Sequence, residues 1–192
     1  MTNWWWIRHG PTHADGLVGW TDLPADLSDT AAIARLNAYL PDDALVVSSD
    51  LIRSIATADA LQQDRQRLAH APNLRELHFG TWEAKTFAEA SAISPKTART
   101  YWSEPGDIAP PNGESWNQAA ARVADFVTET NETHKGRDII AVAHFGVILT
   151  QLQRAGGMAA KSALSFKIDN LSVTRLEYLD PEWRVHGVNH TP

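Results

Sequence analysis

The chain has 192 residues, with 17 lysines and arginines against 23 aspartates and glutamates, eight histidines and no cysteine. A chain of this length suits one large domain with its own core, and the lack of cysteine excludes disulfides, thiolate metal sites, iron–sulfur clusters and a cysteine nucleophile. The formal charge of −6, with cations dispersed along the chain, argues against nucleic acid as a partner and requires that any anionic substrate be met by locally gathered positive charge.

The first element, Trp4–Ile7, is a short apolar run closed by Arg8-His9-Gly10-Pro11, which predicts a buried strand delivering a cation and an imidazole to its end. Arg8 stops the run after four residues, so it is no secretory segment. No stretch approaches the roughly 20 apolar residues of a membrane span. The expectation is a soluble, cytoplasmic protein with no membrane partner; a homodimer is compatible with the sequence. Ser28 then suits the N-cap of a helix carrying Ile33, Leu36 and Leu40 and ending before Pro41. Leu45–Val47 predicts a second strand, and Asp50 the cap of a helix with Leu51, Ile55, Ala58 and Leu61 on one face.

A helical cap is expected from Thr86 to Trp102, followed by a long loop over Glu104–Gly113. Ser115 precedes the longest helical pattern, with Trp116, Ala120, Val123 and Val127 on one face and Gly136 beyond its end. Ile139–Val142 predicts another buried strand, and Gly146–Leu152 the helix behind it. The period then changes to alternation over Ser172–Tyr178 and Trp183–His186 around Asp180-Pro181, an antiparallel hairpin at a sheet edge. Residues 1–192 are therefore expected to form a single α/β domain, with a mostly parallel sheet between helices.

Four places share one pattern, a predicted strand end running into a polar residue and a turn or helix start: Arg8-His9-Gly10, Ser49-Asp50 with Arg53, Arg75-Glu76, and His144-Phe145-Gly146. In a parallel sheet, strand C-termini share one edge, so these distant residues can converge. Guanidiniums that clamp phosphate oxygens, an imidazole that attacks phosphorus and an acid that protonates the leaving oxygen are the parts of phosphoryl transfer. Taken singly, each histidine also reads as a hydrogen-bonded structural residue and each arginine as a solvated surface charge. A metal hydrolase using His9, His13, Asp15 and His144 is a second reading, weakened because Gly10-Pro11 prevents one helix from presenting His9 and His13. A non-catalytic phospho-ligand or protein-binding domain is a third.

Arg8-His9-Gly10-Pro11-Thr12 resembles the R-H-G-E-T signature of the histidine phosphatase superfamily, the phosphoglycerate-mutase-like fold. Four further segments resemble that family's motifs in the same order: Ser49–Ala58, Leu74–Glu83, Pro111–Ser115 and Val142–Ile148. Asn170–Thr174 is similar to its N-C-S-V-T. The resemblance implies a three-layer α/β/α sandwich and a cytoplasmic, bacterial phosphomonoesterase acting on a small phosphorylated metabolite through a phosphohistidine, without cofactor or metal. It implies His9, Glu76 and His144 as catalytic residues, with Arg8, Arg53, Thr12, Asp15 and His144 around the phosphate. Glu76 is then the general acid, its carboxyl raised by burial or by a neighbour such as Asp15, while Glu83 is structural.

Three positions depart from the family pattern. Pro11 stands for the usual glutamate, Asp15 for an asparagine that donates to phosphate, and Phe145 for a glycine. An ionised Asp15 accepts hydrogen bonds only and repels phosphate. The short chain and short tail favour a phosphatase over a mutase, and Gly19–Pro24 resembles a stretch of α-ribazole phosphatases.

Overall fold

The computed structural model describes residues 1–192. Strand β1 (Thr2–Arg8) alternates its side chains between two layers, as the strand period of two requires. Trp4 and Trp6 stack at 5.1 Å on one face of the sheet, while Trp5 and Ile7 enter the core on the other. The same division runs through β2 (Ala44–Ser48) and β4 (Asp138–Ala143), apolar over Ala44–Val47 and Ile139–Ala143 because both faces are covered there.

The sheet has the order β3-β2-β4-β1-β5-β6, with β3 at Gln66–Arg67, β5 at Val173–Tyr178 and β6 at Trp183–His190. Strands β1 to β4 pair in parallel, and β5 and β6 add antiparallel. The strands expected at Trp4–Ile7, Leu45–Val47 and Ile139–Val142 thus lie side by side in one sheet. On one face pack α1 (Thr30–Tyr39) and α2 (Ile52–Gln62), through Leu36, Leu40, Ala58 and Leu61. The larger core, of 28 buried residues, lies on the other face under α5 (Trp116–Thr133) and α6 (Phe145–Gly156). The expected cap is two helices, α3 (Phe87–Ile93) and α4 (Pro95–Ser103), divided at Ser94-Pro95; α7 is a single turn at Ala160–Ala163. No helix is long and apolar enough to cross a membrane.

Several local expectations are corrected. The cap of α1 is Asp29, not Ser28: its side chain accepts from the Ala32 N–H, and a carboxylate also suits the positive end of a helix. Asp50 does not cap α2. The carboxylate of Asp22 accepts from the Ile52 N–H at 2.7 Å, and Asp50 instead binds Arg75 through two hydrogen bonds of 2.7 and 2.5 Å. Ser115 does cap α5, in a reciprocal capping box with Gln118. The fully buried alanine of α5 is Ala119, with Ala120 only partly covered. Strand β6 runs on to His190 past an irregular register, and the two-residue β3 is too short to show a periodicity. Glu76 does not end a strand: it follows a single 3₁₀ turn at Pro72–Leu74 and lies in irregular chain.

Candidate active site

Strand register assembles the site. Arg8 pairs with Ala143 across β1 and β4, and Ser48 with Val142 across β2 and β4, so His9, Ser49 and His144 emerge together at the C-terminal edge of the sheet. His9 and His144 are buried, their ring centroids 5.0 Å apart.

His9 Nδ1 lies 2.6 Å from its neighbour's carbonyl, Gly10 O, which can only accept, so the proton is on Nδ1 and the Nε2 lone pair is left free. Arg53 Nε donates to that lone pair at 3.2 Å. Burial and the Arg53 charge, with Arg8 assisting, hold the His9 pKa down to about 3 against its ordinary 6.5. The imidazole is therefore neutral with its nucleophilic nitrogen identified. Asn170 Nδ2 donates to the His9 carbonyl at 2.7 Å and fixes the backbone there.

Arg53, in the first turn of α2, is fully buried. Its Nη1 and Nη2 donate to the carbonyls of Thr21 and Gly19 at 2.9 and 2.6 Å. The loop carrying those carbonyls is in turn held by Glu83, whose carboxylate accepts from the N–H groups of Gly19, Trp20 and Thr21, the Thr21 hydroxyl and the Phe79 N–H. A side chain at Gly19 would clash with Leu77 O and Glu83 Oε1, so only glycine permits this approach.

Arg8 donates from Nη1 to Ile168 O at 2.7 Å and lies 5.6 Å from the Phe145 ring centroid. His144 is held through Nε2 by the Ser49 hydroxyl at 2.7 Å, and burial together with His9 and Arg53 drives its pKa well below the ordinary value. Arg8 Nε and His144 Nδ1 are buried without a protein partner.

Glu76 reaches this cluster from the irregular segment, where Trp20 Nε1 and Arg122 hold its carbonyl. Its carboxyl receives N–H groups of Leu77, Gly146 and Val147 at 3.0, 3.0 and 3.3 Å, covering the open N-terminus of α6. Burial raises its pKa, and it does so against these donors and the pull of Arg53 and Arg8. Asp15 is exposed and takes no part in that shift. Gly146 is required here as well, since a Cβ would lie 2.7 Å from Glu76 Oε1.

The fold thus brings together His9, Arg8, Arg53, His144 and Glu76. Thr12 is half-buried on the following loop and Asp15 lies on the surface beyond it. His13 binds Asp26 at the exposed rim, and no three histidine or carboxylate side chains converge as a metal-binding group, so the His9, His13, Asp15, His144 set does not assemble. Arg75, beside Glu76 in sequence, pairs with Asp50 and lies over Trp20. A hollow of about 270 Å³ between Pro11, Arg35 and Pro192 includes none of the five clustered side chains. Sequence reading assigned no role to Ser49, Asn170 or the carbonyls of Gly19 and Thr21. Only the identity of the quoted motifs hinted at the first two.

The histidine phosphatase superfamily (branch 1) model matches residues 4–191. The adenosylcobalamin/α-ribazole phosphatase of Escherichia coli is 29% identical over 171 residues, covering 86% of this chain and 84% of that one. The metal-independent phosphoserine phosphatase of Arabidopsis thaliana is 28% identical over 193 residues, covering 92% and 76%. Among solved structures, Bacillus stearothermophilus YhfR superposes with a TM-score of 0.88 at 25% identity over 97% of this chain and 96% of its own. With its two histidines and two arginines gathered at one sheet edge and a match running almost from end to end, the chain belongs to the histidine phosphatase superfamily.

Proposed function

We propose that residues 1–192 act as one catalytic domain that hydrolyses small phosphomonoesters through a phosphohistidine on His9, with no metal. The observation that carries this reading is the pair of unpartnered buried polar atoms, Arg8 Nε and His144 Nδ1, in the cluster around His9 Nε2. Leaving a buried polar group unpaired costs about 1–3 kcal/mol, which is explained if phosphoryl oxygens are their partners. His9 Nε2 attacks phosphorus in line; the N–P bond forms as the ester P–O bond breaks, and Glu76 gives its proton to the departing alcohol. Arg53 Nε yields the nitrogen to phosphorus and turns to an equatorial oxygen, where Arg8 and His144 share the charge. Water, deprotonated by Glu76, then attacks the phosphohistidine and restores both groups.

The relatives' names include both α-ribazole phosphatase and phosphoserine phosphatase at similar identity, so overall likeness does not choose a leaving group. The Gly19–Pro24 stretch that resembles α-ribazole phosphatases is occupied here with holding Arg53 and capping α2. It therefore supports phosphate chemistry and not one particular alcohol.

The test is release of p-nitrophenol from p-nitrophenyl phosphate with and without a chelator, combined with rapid quenching on a radiolabelled ester. Expected are chelator-resistant turnover and an acid-labile, base-stable label on the protein that His9→Ala abolishes. Loss of turnover with chelator would restore the metal reading. Phosphate binding without turnover would mark a binding domain, and transfer of label to phosphoglycerate in preference to water would mark a mutase.

A further inference from the structure

Beside Glu76 lies a narrow cleft whose ten lining residues include one charged side chain, Glu76 itself. The rest of its wall is apolar or aromatic, formed chiefly by Phe79, Tyr101 and Trp102 of the cap side and Phe145 and Leu164 of the α6 side. The aromatic members brace one another: Tyr101 and Trp102 meet edge to face at 4.8 Å, and Phe79 lies 6.1 Å from Trp102. Phe145 also lies under the Arg8 guanidinium, so one ring joins the phosphate cluster to the cleft.

Resting on the phosphomonoesterase reading, we propose that this cleft is the leaving-group subsite and that it selects esters of apolar alcohols, short alkyl or aryl, over esters whose alcohol carries a carboxylate, an ammonium group or several hydroxyls. The occupant follows from position. Glu76 can protonate the departing oxygen only if the alcohol lies on its own side of the phosphate, and the cleft that opens there includes Glu76 and Gly146 in its wall. Its chemistry follows from the wall: a carboxylate placed there would face Glu76 with no cation to pair with, and several hydroxyls would lose water for few replacement partners, the buried Tyr101 hydroxyl, itself without a hydrogen bond, being one. Size adds a limit. The volume is about 40 Å³, where a cavity for one water needs about 10–15 Å³, so the cleft takes the first few carbons of an alcohol and the remainder lies outside.

The experiment compares kcat/KM of the full chain for n-butyl phosphate, phosphoserine, 3-phosphoglycerate and ribose 5-phosphate, with p-nitrophenyl phosphate as the common reference. Electron-withdrawing substituents make serine and glycerate the better leaving groups, so a preference for the butyl ester runs against intrinsic reactivity and has to come from the enzyme. The expected result is a preference for n-butyl phosphate of at least about tenfold, the scale on which a hydrophobic pocket discriminates. Leu164→Arg, at a half-exposed position, introduces a cation into the wall and should shrink or reverse the butyl to 3-phosphoglycerate ratio by a similar factor. A second variant, Trp102→Ala, should lower kcat/KM for the butyl ester more than for ribose 5-phosphate. Turnover of p-nitrophenyl phosphate with no butyl preference, or ratios unmoved in both variants while their near-ultraviolet circular dichroism is native, overturns the inference alone. No turnover of any ester overturns it together with the phosphatase reading.

Discussion

Glu76 is pulled in two directions, and its role turns on which one prevails. Three backbone N–H groups and two guanidiniums favour the carboxylate, yet burial prevails and raises the pKa, the condition for an acid that donates near neutrality. Glu76→Gln can keep its oxygen as acceptor for Leu77 and Val147, turning its NH₂ toward the single Gly146 N–H, and loses the proton. It should reduce kcat/KM on n-butyl phosphate, which reports transfer to His9 and not the common hydrolysis of the phosphohistidine, by about a hundredfold or more, as removal of general acid catalysis does, but reduce kcat/KM on p-nitrophenyl phosphate by less than about tenfold because that leaving group needs little protonation. Steady-state kinetics on the two esters check this, and equal losses would make Glu76 a positioning residue for α6. The histidines differ in kind: His9 presents Nε2 because Gly10 O takes its other proton, whereas the partner of His144 is a side-chain hydroxyl, Ser49.

Between residue and fold stands a relay of elements. Glu83 holds the loop at residues 19–21, the loop carbonyls hold the Arg53 guanidinium, and Arg53 Nε touches the His9 nucleophile. Glu83 Oε1 accepts from two N–H groups and Oε2 from two N–H groups and a hydroxyl. Whichever oxygen an amide replaces in Glu83→Gln, its NH₂ must face at least two donors. The loop should shift and Arg53 with it, lowering kcat/KM by about tenfold, while a structural defect alone would lower the melting temperature without changing the ratio of kcat to KM. Inorganic phosphate inhibition provides the separate readout: its Ki should rise in Glu83→Gln, and an unchanged Ki would detach Glu83 from the anion site. The expected strand ends belong to this scale too. The register of β1 and β4 brings Arg8, His9 and His144 to one edge, whereas Arg53 depends on this loop for its direction.

At the scale of the whole molecule, the site affects stability against acid. The folded state holds His9 at about 3 and His144 well below the ordinary 6.5, so between pH 6.5 and about 3 the unfolded chain takes up protons that the native protein refuses. Stability therefore falls as pH falls through that window. For His9 the loss is about 2 kcal/mol between pH 7 and pH 5, and His144 acts in the same direction. Urea unfolding at the two pH values should show this loss, and His9→Asn, which removes one titrating group while keeping a polar side chain of similar reach, should reduce it by about the share of one histidine. A variant whose loss equals that of the wild type would contradict the depressed His9 pKa.

What the sequence determined by itself was whatever has a local period or a local motif: the three central strands, the long capped helix at Ser115, the C-terminal hairpin, and the pairing of Arg8-His9 and His144 with strand ends. These were legible because burial on both faces writes an uninterrupted apolar run, and a parallel sheet then places every such strand end on one edge. Tertiary structure alone decided that Glu76 meets the start of α6, that Asp22 caps α2 in place of Asp50, that Glu83 gathers the 19–21 loop, and that Phe79, Tyr101, Trp102, Phe145 and Leu164 close around one cleft. The physical reason is common to all four. Backbone N–H groups are the same in every residue, so no pattern in the chain says which distant carboxylate will satisfy them, and apolar side chains carry no mark of which partner across the fold they will face.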